Sequence, residues 1–269
     1  MNNRVTQNSH TTLSIRISTD GFCFCSYTAN SPDTLRYHHY QTDCNIPLAA
    51  NFDAAWSKCP FAGQERYKEV KVILATDSYT VLPAEYDNAE EHGTLYRSCF
   101  PDTPKENRII ANSLTAQGAT ILFSIDEVLY NRLRQIGDIS IYASASILLG
   151  FIARKQPDER SYMLAFFHKG KTHMLAMNGS TLLLANSFAS EHTHDQAFYL
   201  LSIWKEQQLS QQEDTLYLCG DKSVEEITPL LRQFICNIER LNPNELFRSN
   251  LLNRINEIPF DLQALLLCE

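Results

Sequence analysis

Glycine is scarce in this sequence. Only 9 of the 269 residues are glycine, about half of the roughly 7% that is usual in proteins. Loops that cradle phosphate consume glycine, because their backbone must approach the ligand closely and often needs a positive φ angle. The chain therefore has few segments that could bind a nucleotide through backbone amides.

Long apolar runs are also absent. The most apolar helical stretch, 147–152, is far shorter than the roughly 20 residues that a membrane span needs, so membrane insertion is not expected. The first twelve residues are polar, which does not fit a secretory signal peptide. Eight cysteines without regular spacing favour buried thiols in a reducing compartment. We expect a cytoplasmic protein.

The sequence has no basic patch and no complete catalytic motif. The net charge is −8, and the densest cationic pairs, Arg132 with Arg134 and Arg154 with Lys155, fit solvated helix faces. An acidic surface repels phosphate backbones, so nucleic acid is not an expected partner. The Gly-x-Ser-x-Gly, His-Glu-x-x-His and Walker patterns do not occur.

A repeated order of strands and helices is what the sequence does contain. The second copy has turn signals at Gly170 and at Asn178-Gly179. Its predicted elements are strands 162–168, 172–177 and 180–186, a helix 193–208 and a strand 215–219. The first copy is predicted as strands 13–18, 22–27 and 35–40 with a break at 31–33, a helix from Pro47 and a strand 68–75.

The alternation in the first strand predicts a half-buried strand. Leu13, Ile15 and Ile17 lie on one face, and the positions between them carry Ser, Arg and Ser. The apolar residues should face the core, which would leave Arg16 on the opposite face with water.

Further elements are predicted between and after the two copies. They are an acidic helix start or loop at 85–91, strands 108–114 and 120–124, helices 125–135 and 142–155, and then a helix 224–232, a strand 234–239, a break at 242–244, a helix 245–255 and a helix 260–268. Polar residues around Pro157 form the best boundary. The predicted domains are therefore 1–157, with inserted α/β material, and 158–269, whose last helix (259–268) could dock back on the first domain.

The segments LSIRISTDGFCFC, FFHKGKTHMLAMNGSTLLLANSF, HDQAFYLLSIW and LYLCGD carry a family resemblance. In pattern and order they resemble the actin-like, ribonuclease-H-like ATPase superfamily, and more closely a bacterial family of unknown function with an actin-like ATPase fold that is distantly similar to PilM. The resemblance implies an α/β fold of two duplicated β-β-β-α-β units with a cleft between them. It also implies ATP with Mg²⁺ as the ligand and places the nucleotide site at Asp20, Gly21, Gly170, Gly220 and Asp221.

The motifs depart from those of working ATPases in this superfamily. There the first hairpin carries an Asp that holds Mg²⁺ through water and a following hydroxyl residue, but here Phe22 takes the hydroxyl position. The second hairpin has Lys169 before Gly170 and supplies no carboxylate. The adenosine motif has Gly220 alone, and Asp221 would repel phosphate. Plain hairpin turns and an N-capping Asp221 explain these residues without a ligand.

A second candidate site is a cluster of metal-ligand residue types before the helix at 193. His192 and His194 could bind Zn²⁺ together with Glu191 or Asp195. The alternative is that Thr193 caps the helix and closes a capping box with Gln196.

Three hypotheses for function remain open from the sequence. The favoured one is a non-catalytic binding or scaffold protein with an unidentified protein partner and no cofactor, much as PilM is an adaptor. The alternative is a Mg²⁺-dependent ATPase or phosphotransferase that uses the cleft and Asp20. The third is a homodimer formed through the apolar helix at 259–268.

Overall fold

The computed structural model describes residues 11–28, 31–63, 67–155, 160–241 and 258–267. In chain order the elements are β1 (Thr11–Ser18), β2 (Gly21–Thr28), β3 (Ser31–Gln41), α1 (Leu48–Lys58), β4 (Glu69–Leu74), β5 (Tyr79–Pro83), α2 (His92–Cys99), β6 (Arg108–Leu114), β7 (Ala119–Ile125), α3 (Glu127–Arg134), β8 (Ile139–Ala143), α4 (Ser144–Lys155), β9 (Ser161–His168), β10 (Lys171–Asn178), β11 (Thr181–Ala189), α5 (Thr193–Glu206), β12 (Thr215–Gly220), α6 (Ser223–Leu231), β13 (Asn237–Arg240) and α7 (Phe260–Leu267).

Two five-stranded sheets have the same strand order. The first is β3-β2-β1-β4-β8, and the second is β11-β10-β9-β12-β13. In each, three antiparallel strands are followed by a helix and by a strand that runs parallel to the first. The predicted pair of β-β-β-α-β units is therefore confirmed. A smaller sheet, β5-β7-β6, is inserted in the first half.

Turn chemistry explains why the hairpins of the second unit form where the sequence predicts them. Lys169 and Gly170 both have positive φ angles, 48° and 74°. Two positive φ angles define the type I′ turn, whose twist matches that of the flanking strands. The next hairpin turns at Gly179, with a φ of 56°.

The structure corrects the predicted helix at 142–155. Residues Ile139–Ala143 form β8, which pairs in parallel with β4, and the helix starts only at Ser144. Every second residue of this strand, starting at Ile139, is apolar. The apolar residues therefore recur at every second position in β8. In the helix that follows, Leu148 and Phe151 recur with helical spacing instead.

The edge of the first sheet at β8 is closed by a side chain from the inserted sheet. Asn112 of β6 donates from Nδ2 to the carbonyl oxygen of Ile141 at 2.8 Å. Its Oδ1 accepts from the amide of Ala143, also at 2.8 Å. One amide side chain therefore forms the hydrogen bonds that a neighbouring strand would form at this point.

Other predictions near the first half are corrected as well. The predicted break at 31–33 is wrong, because β3 begins at Ser31. A proline is tolerated there because β3 is an edge strand, and the pairing with β2 shifts register between Ser26 and Thr28. The strand β5 was not predicted. The acidic segment predicted at 85–91 as a helix start or loop ends directly before α2, whose own residues were not predicted. Tyr96 anchors α2, because its buried hydroxyl donates to the carbonyl oxygen of Ser78 at 2.9 Å.

The second half follows the predicted order to residue 241. The strand predicted at 234–239 is found later, as β13 (Asn237–Arg240). The boundary at 156–158, the break at 242–244 and the helix at 245–255 lie outside the described residues.

The two halves share one hydrophobic core. A single cluster of buried residues joins β1 and α4 of the first half to Leu164, Phe166 and Tyr217 of the second. A separate cluster lies between the second sheet and the helices α5 and α6.

The C-terminal helix packs inside the chain. Phe260 lies between Phe151 of α4 at 5.4 Å and Phe166 of β9 at 6.2 Å, measured between ring centroids. Leu262 and Leu265 are buried. The apolar face that suggested a homodimer through this helix is therefore covered by the chain itself.

Candidate functional site

Three loops meet at the mouth of the cleft between the two halves. They are the β1–β2 tip, the β9–β10 tip and the turn after β12. The Lys169 ammonium forms an ion pair with the Asp20 carboxylate. Beside it, Lys171 Nζ lies 2.5 Å from Asp77 Oδ2. Both ion pairs connect the first half to the second across the mouth of the cleft.

The carboxylate of Asp221 accepts hydrogen bonds from backbone amides of two different loops. Its Oδ2 accepts from the Lys169 amide at 2.9 Å, and its Oδ1 accepts from the Ser223 amide at 3.0 Å. Burial raises the pKa of Asp221, but these amide hydrogen bonds outweigh burial and hold it below its usual range. The N-cap of α6 is Lys222, so the prediction of Asp221 as N-cap is wrong by one residue.

The glycines of the predicted nucleotide site are required by contacts within the chain. Gly220 has a φ of 118°, and a Cβ atom there would lie 1.9 Å from the carbonyl oxygen of Phe167. A Cβ at Gly21 would lie 2.7 Å from the carbonyl oxygen of Tyr40. Gly170 is part of the type I′ turn. The absence of side chains at these positions therefore needs no ligand as its explanation.

Phe22 belongs to the core. Its ring is fully buried and lies 5.7 Å from the ring of Phe52 on α1. The residue that replaces a hydroxyl in the first hairpin therefore contributes apolar packing against a helix.

Behind the tips lies a buried ion pair that the sequence did not predict. Arg16 Nε donates to both carboxylate oxygens of Asp261 at 2.8 Å, and the two residues are 2% and 0% exposed. Ser144 Oγ donates to Asp261 Oδ2 at 2.5 Å. Burial raises the pKa of Asp261, but Arg16 and Ser144 outweigh it and hold the pKa low. This cluster joins β1, α4 and α7.

The strand pattern explains why Arg16 was missed. Every residue of β1 from Thr12 to Ser18 is buried, so the prediction of a half-buried strand is wrong. On the second face, Arg16 is paired with Asp261 of α7, a carboxylate 245 residues later, and Ser144 of α4 binds the same carboxylate. No local signal in the sequence reports such a pairing.

A cavity of about 430 Å³ lies beside this cluster. Its lining residues are Arg16, Ser18, Asp20, Cys23, Tyr37, His39, His168, Lys169 and Pro259. Of the predicted site residues, this lining includes Asp20. Burial raises the pKa of the Cys23 thiol, and the Tyr37 hydroxyl lies 3.3 Å from its sulfur. Cys23 is therefore a poor nucleophile at neutral pH.

The candidate metal ligands are not brought together. Across the described ranges, no group of three or more His, Cys, Asp and Glu side chains could hold a metal ion. His192 and His194 are both exposed. The predicted capping box is also wrong, because the N-cap is His192 and the side-chain Nε2 of Gln196 donates to the Ser190 carbonyl oxygen at 3.1 Å.

Comparison with known proteins identifies the family and the fold. The family model described as "Protein of unknown function (DUF3822)" matches residues 1–238. No curated protein sequence matches the chain. A solved structure from Bacteroides thetaiotaomicron VPI-5482, a protein with actin-like ATPase fold and unknown function, is 27% identical over 97% of this chain and 96% of that chain, with a TM-score of 0.80.

A second solved structure shares the fold at lower identity. The PilM–PilN type IV pilus biogenesis complex includes a chain that is 14% identical over 96% of this chain and 98% of that chain, with a TM-score of 0.58. The predicted actin-like fold and the predicted family resemblance are confirmed. Among the helices in the described part of the chain, none is long and apolar enough to cross a membrane.

Proposed function

Since the chain belongs to the DUF3822 family and has an actin-like ATPase fold, we propose that it is a cytoplasmic, non-catalytic binding or scaffold protein. The observation that carries the proposal is the set of contacts made by Lys169. Its amide donates to Asp221, and its ammonium pairs with Asp20. By resemblance to actin-like ATPases, the Lys169 amide at the hairpin tip would bind phosphate and Asp20 would hold Mg²⁺. In this chain the amide and the Asp20 carboxylate instead bind other residues of the protein.

The cleft residues do not fit a magnesium nucleotide. Phosphate at the second tip would have to displace the Asp221 carboxylate from the Lys169 amide and would then lie beside a negative charge. Mg²⁺ at Asp20 would have to displace the ammonium of Lys169. The single Gly220 is packed against Phe167. We therefore propose no cofactor and no catalytic step for this cleft.

The proposed partner is a protein. The solved structure that pairs PilM with PilN supports this, because its fold is present in a protein assembly. At 14% identity that structure supports only the kind of partner, not its identity.

One observation favours the alternative, a Mg²⁺-dependent ATPase or phosphotransferase. Asp20 lines a cavity of about 430 Å³, which is within the size range of small-molecule sites. An enzyme of this kind would need the Lys169–Asp20 pair to open before nucleotide binds.

Calorimetric titration of ATP with Mg²⁺ into the purified full chain separates the two proposals. We expect no saturable heat at nucleotide concentrations up to the millimolar range, either for the wild type or for Asp20→Ala. An actin-like protein known to bind ATP serves as the positive control. Saturation near one site per chain, lost in Asp20→Ala and retained in the matched control Asp53→Ala, would overturn the non-catalytic proposal.

The scaffold proposal also needs a positive result. Proteins captured by the full chain would be purified and titrated against it one at a time. We expect one of them to bind saturably and with equal affinity in the presence and absence of Mg²⁺-ATP. Binding that requires nucleotide would contradict the proposal.

A further inference from the structure

The cavity behind the hairpin tips is built from elements of both halves. Strands β1, β2 and β3 supply Arg16, Cys23 and Tyr37, the β9–β10 hairpin supplies His168, and Pro259 leads into α7. Its volume of about 430 Å³ is well above the roughly 30 Å³ that one water molecule occupies in the liquid. The cavity is therefore large enough for a small organic or inorganic ligand.

Arg16 presents hydrogen-bond donors to this cavity from a fixed position. The side chain is 2% exposed, and its Nε is held by the Asp261 carboxylate. Within the parts of the chain that the structure describes, Nη1 and Nη2 of Arg16 make no hydrogen bond to the protein. Arg16 lines the cavity, so these donors are available to a ligand there, and a ligand that accepts from them would supply the hydrogen bonds that the protein does not.

His168 adds a second polar group at the same cavity. Its Nε2 is buried and has no hydrogen-bond partner among the described residues. The imidazole stacks on Phe166 with 5.9 Å between ring centroids, which fixes its orientation. Arg16 and His168 therefore both contribute polar atoms without protein partners.

Two carboxylates near the cavity are already paired with a cation. Asp20 is bound by Lys169, and Asp261 is bound by Arg16 and Ser144. Neither carboxylate therefore presents an uncompensated negative charge to a ligand in the cavity.

We propose that this cavity binds a small oxyanion, a carboxylate or phosphate group, through the terminal guanidinium nitrogens of Arg16, with His168 as a second contact. A guanidinium fork fits two oxygens of either group, and burial strengthens such charge-assisted hydrogen bonds. The site uses neither the tip amides nor Asp221, and it needs no Mg²⁺. It therefore goes beyond the proposed scaffold function and does not depend on it.

The test is a ¹H–¹⁵N NMR titration of the labelled full chain at constant ionic strength. Inorganic phosphate and malonate are titrated separately, with chloride as the reference anion. We expect saturable shift changes at residues that line the cavity with at least one of the two anions, and the comparison tells phosphate from carboxylate. Shifts that grow linearly with both anions in the wild type would overturn the proposal.

Matched variants locate the binding site. Arg16→Lys keeps a cation for Asp261 but loses the fork, and we expect it to weaken binding by about tenfold or more. Arg132→Lys makes the same change at an arginine that pairs with Asp53 on the surface and should bind as the wild type does. If Arg16→Lys does not fold, judged by circular dichroism, His168→Gln provides the test. Unchanged affinity in the folded cavity variants would contradict the assignment.

The NMR result is independent of the ATP titration. Saturable phosphate or malonate binding without ATP binding supports both proposals. Saturable Mg²⁺-ATP binding that is lost in Asp20→Ala would overturn the scaffold proposal and leave the anion site to be judged by its own variants.

Discussion

Residues that ionise are buried where the two halves meet. His173 of β10 is 6% exposed and lies between Phe166, at 5.7 Å, and Tyr79, at 6.5 Å, by ring centroids. Its Nδ1 has no hydrogen-bond partner among the described residues. Burial lowers the pKa of His173 to about 4. The imidazole is therefore neutral in the folded protein at pH 7. It packs between the two halves as an uncharged aromatic ring.

We predict that His173 makes the protein less stable in mild acid. In the unfolded chain its pKa is about 6.5, so between pH 6.5 and 4 the unfolded state binds a proton that the folded state does not. Above pH 6.5 the titration of His173 does not change the free energy of unfolding. As the pH decreases from 6.5 toward 4, that free energy falls by up to about 1.4 kcal/mol per pH unit. His173→Phe should flatten the pH dependence of the urea unfolding free energy in this window.

His194→Gln is the control for this experiment, because His194 is exposed on α5. Some pH dependence should remain in His173→Phe, since burial and Arg16 also lower the pKa of His168. Identical slopes for wild type and His173→Phe between pH 6.5 and 4.5 would contradict the prediction.

At the residue scale, the sequence located turns better than it located buried charges. Asp20 and Gly170 lie at hairpin tips, as predicted, because turn chemistry is local. Arg16 was expected to face water, and its pairing with Asp261 depends on where α7 docks. The cross-cleft partner of Asp20, Lys169, is likewise fixed by the placement of one hairpin against another.

At the scale of elements, the turn between β12 and α6 is built around a close backbone contact. Gly220 has a φ of 118° and touches the backbone of Phe167 on the neighbouring strand β9. Gly118, between β6 and β7, also has a positive φ, 61°, but a Cβ there would meet no atom within 4 Å. Both glycines have a positive φ angle, but only Gly220 has a close backbone contact. Comparing variants at the two positions therefore separates the cost of the φ angle from the cost of the contact.

We predict that Gly220→Ala destabilises the protein more than Gly118→Ala. The Gly118 variant should lose about 1–2 kcal/mol, the usual cost of a left-handed alanine. The Gly220 variant must in addition relieve a contact of 1.9 Å with the Phe167 carbonyl oxygen, which requires the strands to separate. Urea unfolding monitored by circular dichroism compares the two losses, and an equal loss would show that the contact relaxes freely.

Elements with a strong period or a clear turn were predictable, and two short ones in the inserted part of the first half were not. The hairpins of both units and the helix α5 follow from alternation and turn residues. The strand β5 and the helix α2 are joined by a contact that is not local in the chain, the hydrogen bond from the Tyr96 hydroxyl to the Ser78 carbonyl oxygen. The strand β8 was missed because an apolar helix directly follows it.

At the scale of the whole molecule, the duplicated units form one body through their shared core. Trp56 lies on α1 of the first half, and Trp204 lies on α5 of the second. Trp204 is 2% exposed and belongs to the separate cluster under α5, whereas Trp56 packs against the shared core. Each half therefore carries its own fluorescent probe.

We predict that both halves unfold together. Trp204→Phe leaves Trp56 as the probe of the first half, and Trp56→Phe leaves Trp204 as the probe of the second. Both variants should show the urea midpoint that circular dichroism gives for the same variant, because breaking the shared core exposes apolar surface in both halves. Two distinct midpoints within one variant would show that the halves unfold independently.

The order of the duplicated units was predictable from the sequence, but their mutual arrangement was not. Each β-β-β-α-β unit is specified by contacts close in the chain. The ion pairs Lys169–Asp20 and Lys171–Asp77 join residues 149 and 94 positions apart. The fold could therefore be predicted from the sequence, whereas the ion pairs that cross the cleft could be identified only in the structure.

Asn112 has a consequence for how copies of this protein behave when crowded. A bare strand edge is a template on which another chain can add, and such growth leads to insoluble aggregates. By binding the backbone of Ile141 and Ala143, the Asn112 amide removes two attachment points from the β8 edge. Collisions between molecules at this edge then meet groups whose hydrogen bonds are already made, which helps the protein stay dispersed at high concentration.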